Sequence, residues 1–257
     1  MYICNYILKS ILSMIILLSF AKNAFSQEKI DDIEVIGISP LPGIEIDRNK
    51  IPNASQSLRE IDLDSSTGTT IVDLLGEKLT GVTIKDVQNS PFQKNIDYRG
   101  FTAAPLLGES QGLAVYLNGT RINEGFGDTL QWELVPEAAL TDIDLMSSNP
   151  VFGLNALGGS LALTTKKGLD FLNTDSSVEN HFEFGGADWV NGNIELGAGD
   201  ESQGLYVAME NSYDGGWRDN SAGDVKRLFI NYGKIFENSD FDFTFMNADS
   251  NLNGNGV

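Results

Sequence analysis

The sequence predicts two architectures in succession: an α+β domain of short strands plus small helices over residues 55–168, then antiparallel strands over 175–257. Three observations carry this. Gly112 to Lys167 packs short alternating strands, an Asn-Gly turn and a double-glycine loop into one run. Upstream, Ile71, Leu74 and Leu75 fall on one face of a short helix. After Gly168 the pattern changes to repeated strands, in which Phe241, Phe243 and Phe245 alternate with Asp240, Asp242 and Thr244.

The α+β domain begins at Gln56-Ser57-Leu58-Arg59-Glu60-Ile61. The helix that follows is capped by Thr69 or Thr70 and ended by Gly81. Val82–Lys85 and Ile96–Phe101 read as strands, the second containing Arg99 and Gly100. Leu113, Val115 and Leu117 alternate with Ala114 and Tyr116. Asn118 and Gly119 then supply the positive-φ pair of a type I′ turn, and Thr120-Arg121-Ile122 returns as the second strand of a hairpin. Pro136–Leu140 reads as a short helix with Pro in its first turn and Glu137 at its positive end. Ile143–Met146 is a strand, and Leu161–Lys166 the last one. Between them Gly153, Gly158 and Gly159 allow a close-packed loop that larger residues would obstruct. The intervening loops are 89–92, 102–108 and 123–132.

At these residues the chain resembles the plug domain of TonB-dependent outer-membrane receptors. The matching pieces, in order, are Leu113–Gly119, Ile143-Asp144-Leu145, Phe152–Leu161 and Thr165-Lys166, with the earlier Arg99-Gly100 matching the family's Arg-Gly motif. The family often has Tyr where Phe152 stands and Ala or Ser nearer the glycine pair, so the match keeps order and spacing while differing in detail.

The resemblance implies a partner, a membrane and a substrate. Within the Pro- and Gly-punctuated leader, residues 27–54, Ile33-Glu34-Val35-Ile36 is similar in position to the family's TonB box, an extended strand that adds to the edge of TonB's sheet in the periplasm. The same stretch also reads as a first strand of the folded domain. Outward-facing plug loops contribute to the substrate pocket in this family, which makes Phe92, Phe101, Phe126 and Trp132 candidate contacts for a small molecule or chelate. Each of them equally suits seating the plug on the barrel wall. Arg99 either pairs with carboxylates of that wall or satisfies backbone carbonyls. With Arg99, the residues Gly100, Asn118, Gly119, Gly153, Gly158 and Gly159 form the structural set of the plug.

Strands at 179–185, 191–197, 204–212, 226–236 and 240–248 suit the lipid-out, water-in alternation of a transmembrane β-barrel, although a soluble sheet with one wet face has the same period. Plugged outer-membrane transporters close with about 22 strands, so the expectation is an incomplete antiparallel barrel, the N-terminal portion of a longer receptor.

Composition bounds the rest. A formal charge of −19 excludes a nucleic-acid partner, because phosphate would be repelled. Residues 1–26 read as a secretory signal, with Lys9, an apolar run from Ile11 to Phe20, and Ala24-Phe25-Ser26 at the cleavage site. Cys4 is the only cysteine and lies before that run, so the mature chain has no thiol for disulfides, thiolate metal sites or cysteine catalysis. His181 is the only histidine, which leaves no His-based metal site and no Ser-His-Asp triad. The 153–158 glycines lack both the P-loop lysine and the dinucleotide spacing. The expectation is therefore a non-enzymatic chain without cofactor or resident metal, located in the cell outer membrane and taking up a scarce substrate such as an iron chelate. The second reading is a non-transporting, plug-like periplasmic binding module.

Overall fold

The computed structural model describes residues 35–37, 45–47, 55–64, 70–148, 153–186, 188–216 and 221–253. The expected signal at 1–26, Ile33 and Glu34 of the box, the leader's Pro40, Pro42, Gly43 and Pro52, the alternative cap Thr69, and Phe152 lie outside the described residues. Within the leader, β1 (Val35–Gly37) pairs antiparallel with β2 (Glu45–Asp47), Ile36 opposite Ile46.

The α+β domain is built on a five-stranded sheet. Its strands are β3 (Ser55–Arg59), then, after the small helices α1 (Glu60–Asp64) and α2 (Ile71–Lys78) and the three-stranded meander β4 (Val82–Lys85), β5 (Asn95–Tyr98) and β6 (Phe101–Ala103), β7 (Leu113–Leu117), β8 (Thr120–Arg121), β9 (Leu140–Ser147) and β10 (Gly159–Thr165). The spatial order is β3-β9-β10-β7-β8, with β10 parallel to β7 and the other pairs antiparallel. Every residue of β7 is buried, so the sheet is covered on both faces. Leu113, Val115 and Leu117 point into the main core with Leu74, Leu75, Tyr98 and Trp132, while Ala114 and Tyr116 pack with Met146 and Ala156 on the other face.

The Asn118-Gly119 turn forms as expected. Asn118 has φ +48° and Gly119 φ +81°, with Leu117 opposite Thr120. Arg99 and Gly100 differ from expectation, since they do not lie in a strand. With φ of +56° and +86° they make a second two-residue hairpin turn, which sends β6 back along β5. Thr70 caps α2, its Oγ1 accepting from the Asp73 backbone N–H at 3.4 Å, but the helix ends at Lys78 rather than at Gly81. Gly81, at φ +82°, instead turns the chain into β4. The Pro136–Leu140 helix reduces to one 3-10 turn, Glu137–Ala139, because Leu140 is already the first residue of β9.

A 3-10 turn at Gly168–Phe171 leads into the second sheet, an antiparallel meander of β11 (Thr174–Phe184), β12 (Val190–Gly199), β13 (Gln203–Asp214), β14 (Gly223–Phe236) and β15 (Ser239–Leu252). All five strands begin earlier than expected and β12, β13 and β15 also run further at their ends; among the described residues β11 and β15 are open edges. Connections at one end are tight, at 200–202 and 237–238; those at the other, 185–189 and 215–222, are longer.

Candidate functional site

The meander's two faces divide by chemistry. Register places Val178, Leu196, Val207, Ile230 and Phe245 in one continuous row, flanked on the same face by Ile194, Met209 and Leu228 and by Leu205, Tyr232 and Phe243. Phe241, Phe243 and Phe245 are 45–50% exposed, so this apolar band is turned away from protein. The opposite face carries His181, Asn193, Glu210 and Arg227 in one row and Tyr206, Asn231 and Thr244 in another. That polar face receives the plug-like domain.

Contact follows β14 residue by residue. At the long-connection end Phe92 stacks on Trp189 at 5.6 Å and clusters with Val225. One step along, Arg227 is 5% exposed and donates through Nε to the Glu133 carbonyl at 2.8 Å and through Nη2 to Glu137 Oε1 at 2.9 Å. Its Nη1 holds Glu210 of β13. Phe229 then packs with Ala139, the Gly168 N–H donates to Asn231 Oδ1 at 2.7 Å, and Leu169 lies against Gly233. Gly168 and Gly204 touch backbone to backbone, a closeness that a Cβ on either would prevent. Phe171 stacks on Tyr206 at 5.4 Å.

Charges at this boundary are shared between the two parts. Lys166 pairs with Glu195 of β12 at 2.8 Å, Glu60 of α1 at 3.3 Å and Glu179 of β11 at 3.5 Å. Burial acts to lower the proton affinity of Lys166, but those carboxylates outweigh it and raise it overall. Glu137 is pushed up to about 7, chiefly by burial, with the Arg227 charge opposing. A cleft of about 620 Å³ opens beside these groups, between α1, α2 and the β11–β12 edge.

The aromatic candidates separate by burial. Trp132 is 1% exposed, fixed in the core with its Nε1–H donating to the Ala103 carbonyl at 3.3 Å, so it does not present a ligand surface. Phe92, at 2%, seats the domain on the wall. Phe101 is wedged against Gly112 and Gly158, where a Cβ on either glycine would collide with its side chain. Phe126 alone of the four is open, at 79%. Leu107, Leu154 and Leu157, on the neighbouring loops, are exposed as well. Leu107 lies against Gly127, and Asp128 is held by Arg121 and Asn155.

Among the described residues Arg99 makes neither a pair with a wall carboxylate nor a bond to a backbone carbonyl. It sits exposed at the hairpin tip with its guanidinium 4.9 Å from the Tyr98 ring centre. Gly153 takes φ +86°, and Gly159 opens β10 opposite Ser147, its backbone too close to Met146 for a side chain. Val35 and Ile36 of the box are in β1, paired along one edge. Arg227, Glu210 and Trp189 carry no signal in the sequence, and Glu137 signals only an acid at a helix start. Among the described residues no group of three or more His, Cys, Asp and Glu is arranged to hold a metal ion. No helix there is long and apolar enough to cross a membrane.

The arrangement is that of a plug-like domain seated on the polar face of a sheet whose other face is apolar. Residues 47–160 match the model of the TonB-dependent Receptor Plug Domain. Among solved structures the chain is similar to the hemophore receptor HasR of Serratia marcescens, in complex with its hemophore HasA and heme (16% identity, TM-score 0.61, 77% of this chain and 32% of that one). It is also similar to the ferric yersiniabactin uptake receptor FyuA from Yersinia pestis (16%, 0.57, 77% and 31%) and to the copper transporter OprC (12%, 0.63, 78% and 32%). At those identities the likeness is one of fold, and the chain spans about a third of the length of each. No curated protein sequence matches it.

Proposed function

We propose that this chain forms the plug and part of the wall of a TonB-dependent outer-membrane receptor that takes up a scarce small molecule, with a metal chelate as the substrate class. The observation that carries the reading is the plug domain docked on the inward, polar face of a meander whose outward face is an apolar band. In lipid that band is satisfied; in water it would be an exposed patch of the kind that aggregates, which disfavours the soluble periplasmic module. Residues 1–26 act as the export signal.

Substrate meets the exposed loop residues Leu107, Phe126, Leu154 and Leu157, with Phe126 as its aromatic contact. TonB captures Ile33–Ile36 as an added strand, and the extended backbone of β1 suits such pairing. Substrate binding shifts the leader toward release only if its affinity differs between the docked and released states. No covalent step is involved, and no cofactor is required.

The test is photo-crosslinking from position 35 to TonB in membranes, with and without ferric chelates. A crosslink that rises with one chelate supports the reading; no crosslink under any condition overturns it.

A further inference from the structure

The boundary between plug and wall contains a buried cluster in which acids outnumber bases. Arg227 of β14 reaches Glu137 on the 3-10 turn, Glu210 on β13 and the backbone of Glu133. Glu133 is itself buried, and its Oε1 accepts from Gln93 at 2.8 Å. Glu137 divides its carboxylate between the two parts: Oε1 takes the wall's guanidinium, and Oε2 accepts from the Ile71 N–H, the first amide of α2, at 2.9 Å. Asp73, in the first turn of α2, adds a further negative charge and is held by Lys94 at 2.7 Å. Facing the same space across the cleft are Glu60 of α1, Lys166, Glu195 of β12, and Glu179, His181 and Glu183 of β11.

We propose that seating of the plug on the wall is coupled to binding of one proton by Glu137, so that the docked state is favoured as pH falls toward 6 and loosened as it rises toward 8. Docking places Glu137, about a fifth of its side chain still exposed beside the cleft, where one guanidinium serves two carboxylates, whereas an undocked Glu137 meets water on all sides. Separating plug from wall removes both the burial and the Arg227 contact. Glu137 is held at about 7 when docked, above its ordinary value of 4.5. A folded-state value raised in this way contributes stability that is full below the ordinary value and is lost as pH rises through 7. The proposal rests on the plug–wall interface alone, and it stands whether or not the chain imports a substrate.

Hydrogen exchange of the full chain in lipid vesicles, corrected for the intrinsic pH dependence of exchange, tests this directly. Protection of amides in 70–78 and 133–140 should rise about tenfold from pH 8 to pH 6, the ratio a single group titrating near 7 supplies. In Glu137→Gln that slope should vanish, while His181→Gln should keep it. Glu210→Gln removes a carboxylate that helps raise Glu137, so its midpoint should move to lower pH; this variant decides the matter if Glu137→Gln does not fold. A flat wild-type profile, a slope that survives in Glu137→Gln, a slope lost in His181→Gln, or an unmoved midpoint in Glu210→Gln would each overturn the proposal.

Discussion

Arg227 and Glu137 meet at 2.9 Å across the line that divides wall from plug, and 90 residues of sequence separate them. Arg227 is buried and Glu137 keeps about a fifth of its side chain exposed, so this contact fixes where the plug sits along β14. Replacing Arg227 with Met would leave Glu137 and Glu210 buried without their counter-charge. The cost should be about 3–5 kcal/mol, the usual penalty for removing one partner of a buried pair. Denaturant unfolding followed by plug fluorescence should show it, with the plug released before the sheet melts.

Gly168 and Gly204 should tolerate no side chain. Their backbones are in contact where the chain leaves the plug and enters the meander. Gly168→Ala or Gly204→Ala forces one of the two to move, at about 1–3 kcal/mol. Both variants should show raised protease cutting near 166–173, and wild-type resistance in either would contradict the close packing.

Phe126 and Trp132 should respond in opposite ways. Phe126 is 79% exposed and Trp132 is 1% exposed. Phe126→Ala should change stability by less than about 0.5 kcal/mol while weakening substrate binding. Trp132→Ala should cost about 3–5 kcal/mol through the cavity it leaves in the core. Calorimetric unfolding together with titration of the substrate distinguishes the two roles.

The turn at Arg99-Gly100 predicts a local asymmetry. Gly100→Ala places a Cβ at φ +86°, which should destabilise by about 1–2 kcal/mol even though nothing lies within 4 Å of the new methyl. Arg99→Gly should cost less, because it relieves a positive φ while losing only the stack on Tyr98. Equal thermal shifts for the two would argue against the turn.

Local chemistry made the plug legible. Asn118-Gly119 announces its own turn, and β7 alternates openly between small and large apolar residues, so hairpin and neighbours follow from spacing alone. Arg99-Gly100 was missed because an arginine at positive φ gives no compositional signal, and Tyr98 and Phe101 on either side extend the strand pattern. The meander's alternation was visible, but not its partner surface. Glu210 pairs opposite Arg227 only once β13 and β14 are in register, and Glu137 reaches them only through the packing of plug on wall. An aromatic in a loop likewise carries no mark of its burial: Phe92 and Phe126 sit in similar sequence contexts, yet one is stacked on Trp189 and the other is open.

The central claim is that the meander faces lipid on one side and plug or water on the other. Residues 241–246 test it most directly, as single cysteines carrying a nitroxide in a Cys4→Ser background of the full chain in lipid bilayers. Collision with oxygen, which concentrates in the acyl region, should be high at 241, 243 and 245 and low at 242 and 244, in a strict period of two. Uniform access to a water-soluble relaxant across all six positions would contradict the account.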